Sequence, residues 1–158
     1  MKTKGRGICH KHVTQIIYDA DNHRLMKKEL YINLLRIDED TNTSLPKILG
    51  IFSDKGKKSL WRIEYAEACG YEDSAFIHEW SDSKKDVSGE EFYSVLTPRI
   101  QIIDGIFKAR EMGSNDPWVE INVQDGAHIT VSTESESIAD GVMELYPTTL
   151  SVNENTFI

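Results

Sequence analysis

Two histidines stand in the same short pattern, His12-Val13-Thr14 and His128-Ile129-Thr130. On a β-strand, positions i and i+2 share a face, so each His would point the same way as its Thr. Two such pairs across one cleft would supply a base, an acid and two hydroxyls around a phosphate, the equipment for moving protons during phosphoester chemistry. The plainer alternative is His and Thr on the solvated face of a sheet. Cys9-His10-Lys11-His12 is a second concentration of reactive side chains. With Cys69 or His78 folded nearby it would approach the four N/S ligands that zinc favours. Its spacing fits no zinc pattern, and phosphate-loop, dinucleotide, nucleophile-elbow and HExxH motifs are absent, so neither a metal nor a cofactor is expected.

The elements that must position these residues begin with the hairpin 116–133. Trp118 to Val123 alternates with period two, Asp125-Gly126 supplies the turn, and His128 to Thr133 is a β-branched return strand. Ile129 and Val131 then face the core, while His128, Thr130 and Ser132 face away. His12 to Tyr18 also reads as a strand, followed by a turn over Asp19 to His23. Glu29 to Ile37 is read as a strand, against a rival helical stripe of Met26, Leu30, Leu34 and Ile37. Asp38 to Ser44 reads as a polar loop. Lys47 to Ser53 and Ser59 to Tyr65 read as a hairpin around Asp54-Lys55-Gly56-Lys57. Ala66 to Ser74 reads as a connection, Ala75 to Trp80 as a short strand, and Ser81 to Val87 as a charged loop. Ser88, with Glu91 three residues on, has capping-box spacing and predicts a helix to about Leu96, before Pro98. Arg99 to Arg110 reads as two strands around Asp104-Gly105. Glu136 to Tyr146 reads as an amphipathic helix with Ile138, Val142 and Leu145 on one side, and Thr148 to Ile158 as either a last edge strand or a loose tail. Tight turns imply antiparallel neighbours. The expected fold is a single α+β domain over 1–158, with 1–7 a tail. It would be a mainly antiparallel sheet of about six to eight strands with two short helices on one face.

The paired His-x-Thr pattern resembles the signature of the 2H phosphoesterases, which act on cyclic phosphates and related 2′,5′-type phosphodiesters. The resemblance implies that His12 and His128 are catalytic and that Thr14 and Thr130 hold the phosphate. It covers the two tripeptides only, and no family resemblance extends over the length of the chain.

Charge distribution points elsewhere. The 158 residues carry a net charge of −8. Residues 1–36 hold eight Lys/Arg against three Asp/Glu, and after Arg110 there is no Lys or Arg at all. A base-free window from Ile63 to Ser83 contains Glu64, Glu67, Glu72, Asp73, Glu79 and Asp82, with Trp80 among them. One reading is solubility alone. The other is an acidic surface that steers a basic partner, with Trp80 as an aromatic anchor. Nucleic acid is an unsuitable partner, because phosphate contacts need clustered Lys and Arg. No apolar run is long enough to span a bilayer. The basic N-terminus has no apolar core behind it, and two cysteines are too few for a disulfide scaffold, which together predict a cytoplasmic chain with reduced thiols. The leading expectation is a non-enzymatic protein-binding module, in its most economical form an immunity-type inhibitor of a basic toxin nuclease. The 2H-like phosphodiesterase is the alternative.

Overall fold

The structure, a computed structural model, describes residues 27–151 together with Tyr18–Asp19 and Arg24–Leu25. In chain order the elements are β1 (Tyr18–Asp19), β2 (Arg24–Leu25), β3 (Lys28–Asn33), α1 (Thr41–Lys58), β4 (Leu60–Gly70), α2 (Ser74–Ser83), β5 (Val87–Ser88), α3 (Gly89–Val95), β6 (Ile100–Arg110), β7 (Pro117–Gln124), β8 (His128–Thr133), α4 (Glu136–Leu145) and β9 (Leu150–Ser151). β1 pairs with β2; the other seven strands form one antiparallel sheet in the order β5-β4-β6-β7-β8-β3-β9. This is an α+β fold, with four α-helices among the described residues rather than two.

Period-two alternation decides which face of the sheet is buried. The register aligns Ile32, Ile129 and Val123 in one row, and Leu30, Val131, Ile121, Phe107 and Ile63 in the next. All of these are buried in one hydrophobic cluster with Ile48 and Phe52 of α1, Phe92 of α3 and Val142 of α4. Trp61 sits at the centre, its ring 4.3 Å from Phe92 and 6.2 Å from Phe52. The opposite face carries Tyr31, His128, Thr130, Asn122, Lys108 and Arg62, and among the described residues no helix lies along its middle strands. No helix among the described residues is long and apolar enough to cross a membrane.

The central hairpin forms as expected, with β7 and β8 in register from Val119↔Thr133 to Gln124↔His128. Three residues, not two, lie inside the last pair. Asp125 and Gly126 take φ 56° and 65°, the left-handed conformation that Asp-Gly tolerates. Ser88 caps α3, its Oγ accepting from Glu91 N at 3.1 Å. Ser135 caps α4 through Ile138 N. β9 is the edge strand expected after Pro147, paired with Leu30 and Tyr31.

Several expected elements are different. The strand over Glu29 to Ile37 ends at Asn33, whose side-chain oxygen accepts from Leu35 N at 3.0 Å and turns the chain into a 3-10 turn at Leu34–Arg36. The loop and hairpin expected between Asp38 and Tyr65 are one helix followed by one long strand. Thr41, Ser44, Leu45, Ile48, Leu49 and Phe52 are all buried, which is helical spacing. The turn chemistry that suggested a hairpin lies inside this helix, which kinks at Ser53 (φ 54°) and resumes for a final turn. β4 continues through the segment read as a connection. Ala75 to Trp80 is part of α2, burying Ile77, Trp80 and Ser81 at i, i+3 and i+4. Arg99 to Arg110 is one strand, not two. Gly105 is there because the Phe107 ring lies over it: a Cβ would stand 2.8 Å from the ring. Asp104 accepts from Asp125 N at 3.0 Å and so holds the β7–β8 turn. On α4 the core face is Ile138, Ala139, Val142 and the following Tyr146, while Leu145 is exposed. The strand read from His12 lies outside the described residues except at Tyr18.

Candidate functional site

β5 covers only Leu60 and Trp61 of β4, and among the described residues the rest of that strand has no paired strand on its outer side. An exposed edge invites pairing with another chain unless something covers it. Here α2 does so with side chains. Ser81 Oγ accepts from Ala66 N at 2.9 Å, and His78 Nε2 accepts from Ala68 N at 3.2 Å. Lys84 Nζ donates to the Glu64 carbonyl at 2.5 Å and to the Ser81 carbonyl at 2.9 Å. His78 Nε2 is therefore an acceptor, and its ring proton is assigned to Nδ1.

This edge carries the base-free acidic window. Glu67, Glu72, Glu79 and Asp82 are exposed, and Glu64 and Asp73 are half-buried. Asp73 occupies the N-cap position of α2, where its charge suits the helix dipole. Glu64 Oε2 lies 3.9 Å from Lys108 Nζ. Trp80 does not belong to this surface: it is 3% exposed and packs 6.4 Å from Phe92. Its place among acids made it look external, but on a helix it falls on the inner face. The aromatic side chains that do reach the surface here are Tyr65 (45% exposed), Tyr71 (56%) and Phe76 (44%). They stood in the same base-free window, so the signal was present; Phe76 and Trp80 are i and i+4 on α2 with rings 6.2 Å apart, and they differ in depth, Phe76 in the first turn at the surface and Trp80 buried. Arg99 stacks on Tyr71, its guanidinium 3.8 Å from the ring centre.

His128 and Thr130 share the open face, as their spacing requires. Tyr31, on the neighbouring strand, shares a 2.6 Å hydrogen bond with His128 Nδ1, and the rings stack at 5.8 Å. Burial raises the Tyr31 hydroxyl above its ordinary value, partly opposed by the charge of Arg36. Thr130 is cross-strand to Asn122, whose buried Oδ1 has no hydrogen-bond partner among the described residues. His12 and Thr14, like Cys9 and His10, lie outside the described residues. Among the described residues no cluster of His, Cys, Asp and Glu is arranged to hold a metal. No family model, curated protein or solved structure matches this chain.

Proposed function

We propose that the protein is a non-enzymatic binding module that receives a positively charged protein partner on its β4–α2 edge. The supporting observation is the coincidence, on one edge of the sheet, of exposed Tyr65, Tyr71 and Phe76 with exposed Glu67, Glu72, Glu79 and Asp82. Aromatic side chains supply contact area and acids supply orientation and encounter rate. α2 is fixed to β4 by three side-chain bonds, so the surface is rigid before binding and little ordering entropy opposes association. In its narrowest form the module is an immunity-type inhibitor of a toxin nuclease, whose phosphate-binding surface is basic. Capture of a basic protein from native lysate at low salt tests the reading, provided that Tyr71→Ala with Phe76→Ala abolishes the capture. A partner of neutral or acidic charge, or capture unchanged by the double variant, contradicts it.

The second reading is a phosphodiesterase of the 2H kind. It draws on the Tyr31–His128 hydrogen bond, which leaves Nε2 as the atom that would exchange protons, and on Thr130 beside it. Loss of cyclic-phosphate hydrolysis in both His12→Ala and His128→Ala is the result it requires.

A further inference from the structure

Three cations crowd one end of the open face. Arg62 on β4 and Lys108 on β6 are direct cross-strand partners, and Arg110 lies two residues beyond Lys108 on the same face. Like charges set directly opposite destabilise an antiparallel pair. Asp86 offsets part of this: its Oδ1 accepts from Arg62 Nε at 3.1 Å and Nη2 at 2.9 Å, and its Oδ2 accepts from Arg110 Nη2. Arg110 Nη1 also donates to the Ser114 carbonyl at 2.9 Å, so both guanidinium groups are held in place. Lys108 is less well matched. Glu64 is 3.9 Å away, and Glu120, its partner across on β7, forms no ion pair with it.

These side chains wall an open hollow of about 320 Å³, lined by Arg62, Glu64, Lys108, Arg110, Asn115 and Pro117. Asp86 and Glu120 do not line it, and the three cations are set against Glu64 on the wall and Asp86 behind the two arginines, which leaves a small positive excess at the site. The Asn115 amide makes no hydrogen bond to the described residues and is free to donate.

We propose that this hollow binds a small molecule bearing a phosphate-type oxyanion. Its donors come from β4, β6 and the segment after β6, and two of them are guanidinium forks, which match the oxygen spacing of phosphate. The guanidinium groups are preorganised by Asp86, so little rotamer entropy is lost when the anion arrives. The volume is at the low end of the roughly 300–1,000 Å³ usual for ligand pockets, which fits a monoester or a diphosphate rather than a dinucleotide. With a net charge of −8 the protein repels anions at long range, so affinity rests on the donors at the site itself.

The test uses the full chain labelled with ¹⁵N, titrated with inorganic phosphate and with pyrophosphate at ionic strength held constant by chloride. Saturable shifts are expected at Lys108, Arg110 and the Asn115 side-chain amide, with pyrophosphate the tighter ligand. Lys108→Met is expected to weaken binding about tenfold, the usual loss with one charge-assisted hydrogen bond, and Lys108→Arg to retain most of it. Asn115→Ala, on an exposed segment, serves as a second variant if Lys108→Met fails to fold, and is expected to weaken binding as well. Shifts that never saturate, shifts centred elsewhere, or a folded variant that binds as tightly as the wild type would overturn the proposal. Tighter binding of citrate than of pyrophosphate would overturn the assignment to phosphate.

Discussion

Glu39 ties the start of α1 to the end of α4. It accepts from Ser44 Oγ at 2.6 Å, Lys47 Nζ at 2.9 Å and Tyr146 OH at 3.2 Å. Burial pushes its carboxyl up, but the bonds from Ser44 and Lys47, the Lys47 charge and the Tyr146 bond outweigh this and hold it below the ordinary range. A carboxyl lowered by folding stabilises the protein above its unfolded value of about 4.3, and that contribution is lost as pH falls through the folded value. Glu39→Gln is therefore expected to cost about 1 kcal/mol at neutral pH, with the gap to wild type closing in acid. Urea unfolding of both proteins at pH 7 and pH 3 checks this; a gap of equal size at both pH values would refute it. At this scale the sequence was informative where period two held. The His128–Thr130 pairing on one face follows from alternation alone. The Tyr31 partner of His128 comes from another strand, and strand order is not written in local pattern. Trp80 was misplaced because a strand and a helix send the same residue to different sides.

Of the elements, α2 has the least usual task, standing in for a missing strand beside β4. Ser81 is buried and its hydroxyl is the acceptor for Ala66 N. Ser81→Ala leaves that N–H without its partner and is expected to cost about 1–2 kcal/mol. Hydrogen exchange at Ala66 should accelerate in the variant, while exchange in the β7–β8 hairpin should change only by the global loss; unchanged protection at Ala66 would mean that water or a shift of α2 replaces the bond. Gly105→Val should destabilise although strand propensity alone predicts a gain, because its Cβ would meet the Phe107 ring. Thermal unfolding that rises in this variant would contradict the close-packing role assigned to the glycine. Asp-Gly was legible as a turn at 125–126 and misleading at 104–105, since the same glycine serves tight turns and close ring contacts alike. α1 was hidden for a related reason: the Asp54–Lys57 turn signal masked a buried stripe that already had helical spacing. α3 was legible because its cap, Ser88, is side-chain chemistry at a fixed offset, and α4 because its apolar residues recur at helical spacing.

Across the whole molecule the charge is sorted by place. The acidic window lies along the β4–α2 edge, whereas Arg62, Lys108 and Arg110 gather on the open face at the other end of β4. The proposed basic partner and the proposed small anion would thus use adjoining surfaces that share Glu64, while Glu72 and Glu79 on one and Lys108 on the other can be substituted independently. Sequence composition revealed the acidic window but not the basic hollow, because Arg62, Lys108 and Arg110 meet only through the β4–β6 register. The most direct measurement is the association rate of the captured partner as a function of salt, for the wild type and for Glu72→Lys with Glu79→Lys. Both residues are exposed, and unlike Asp73 neither occupies the N-cap position of α2, so the fold should be retained. Exposed charges are screened beyond about 8 Å at physiological ionic strength, so salt should slow wild-type association far more than it speeds dissociation. The double variant should associate slowly at low salt and respond little to added salt. Equal on-rates for the two proteins, or a wild-type on-rate indifferent to salt, would contradict the acidic edge as the partner's landing surface.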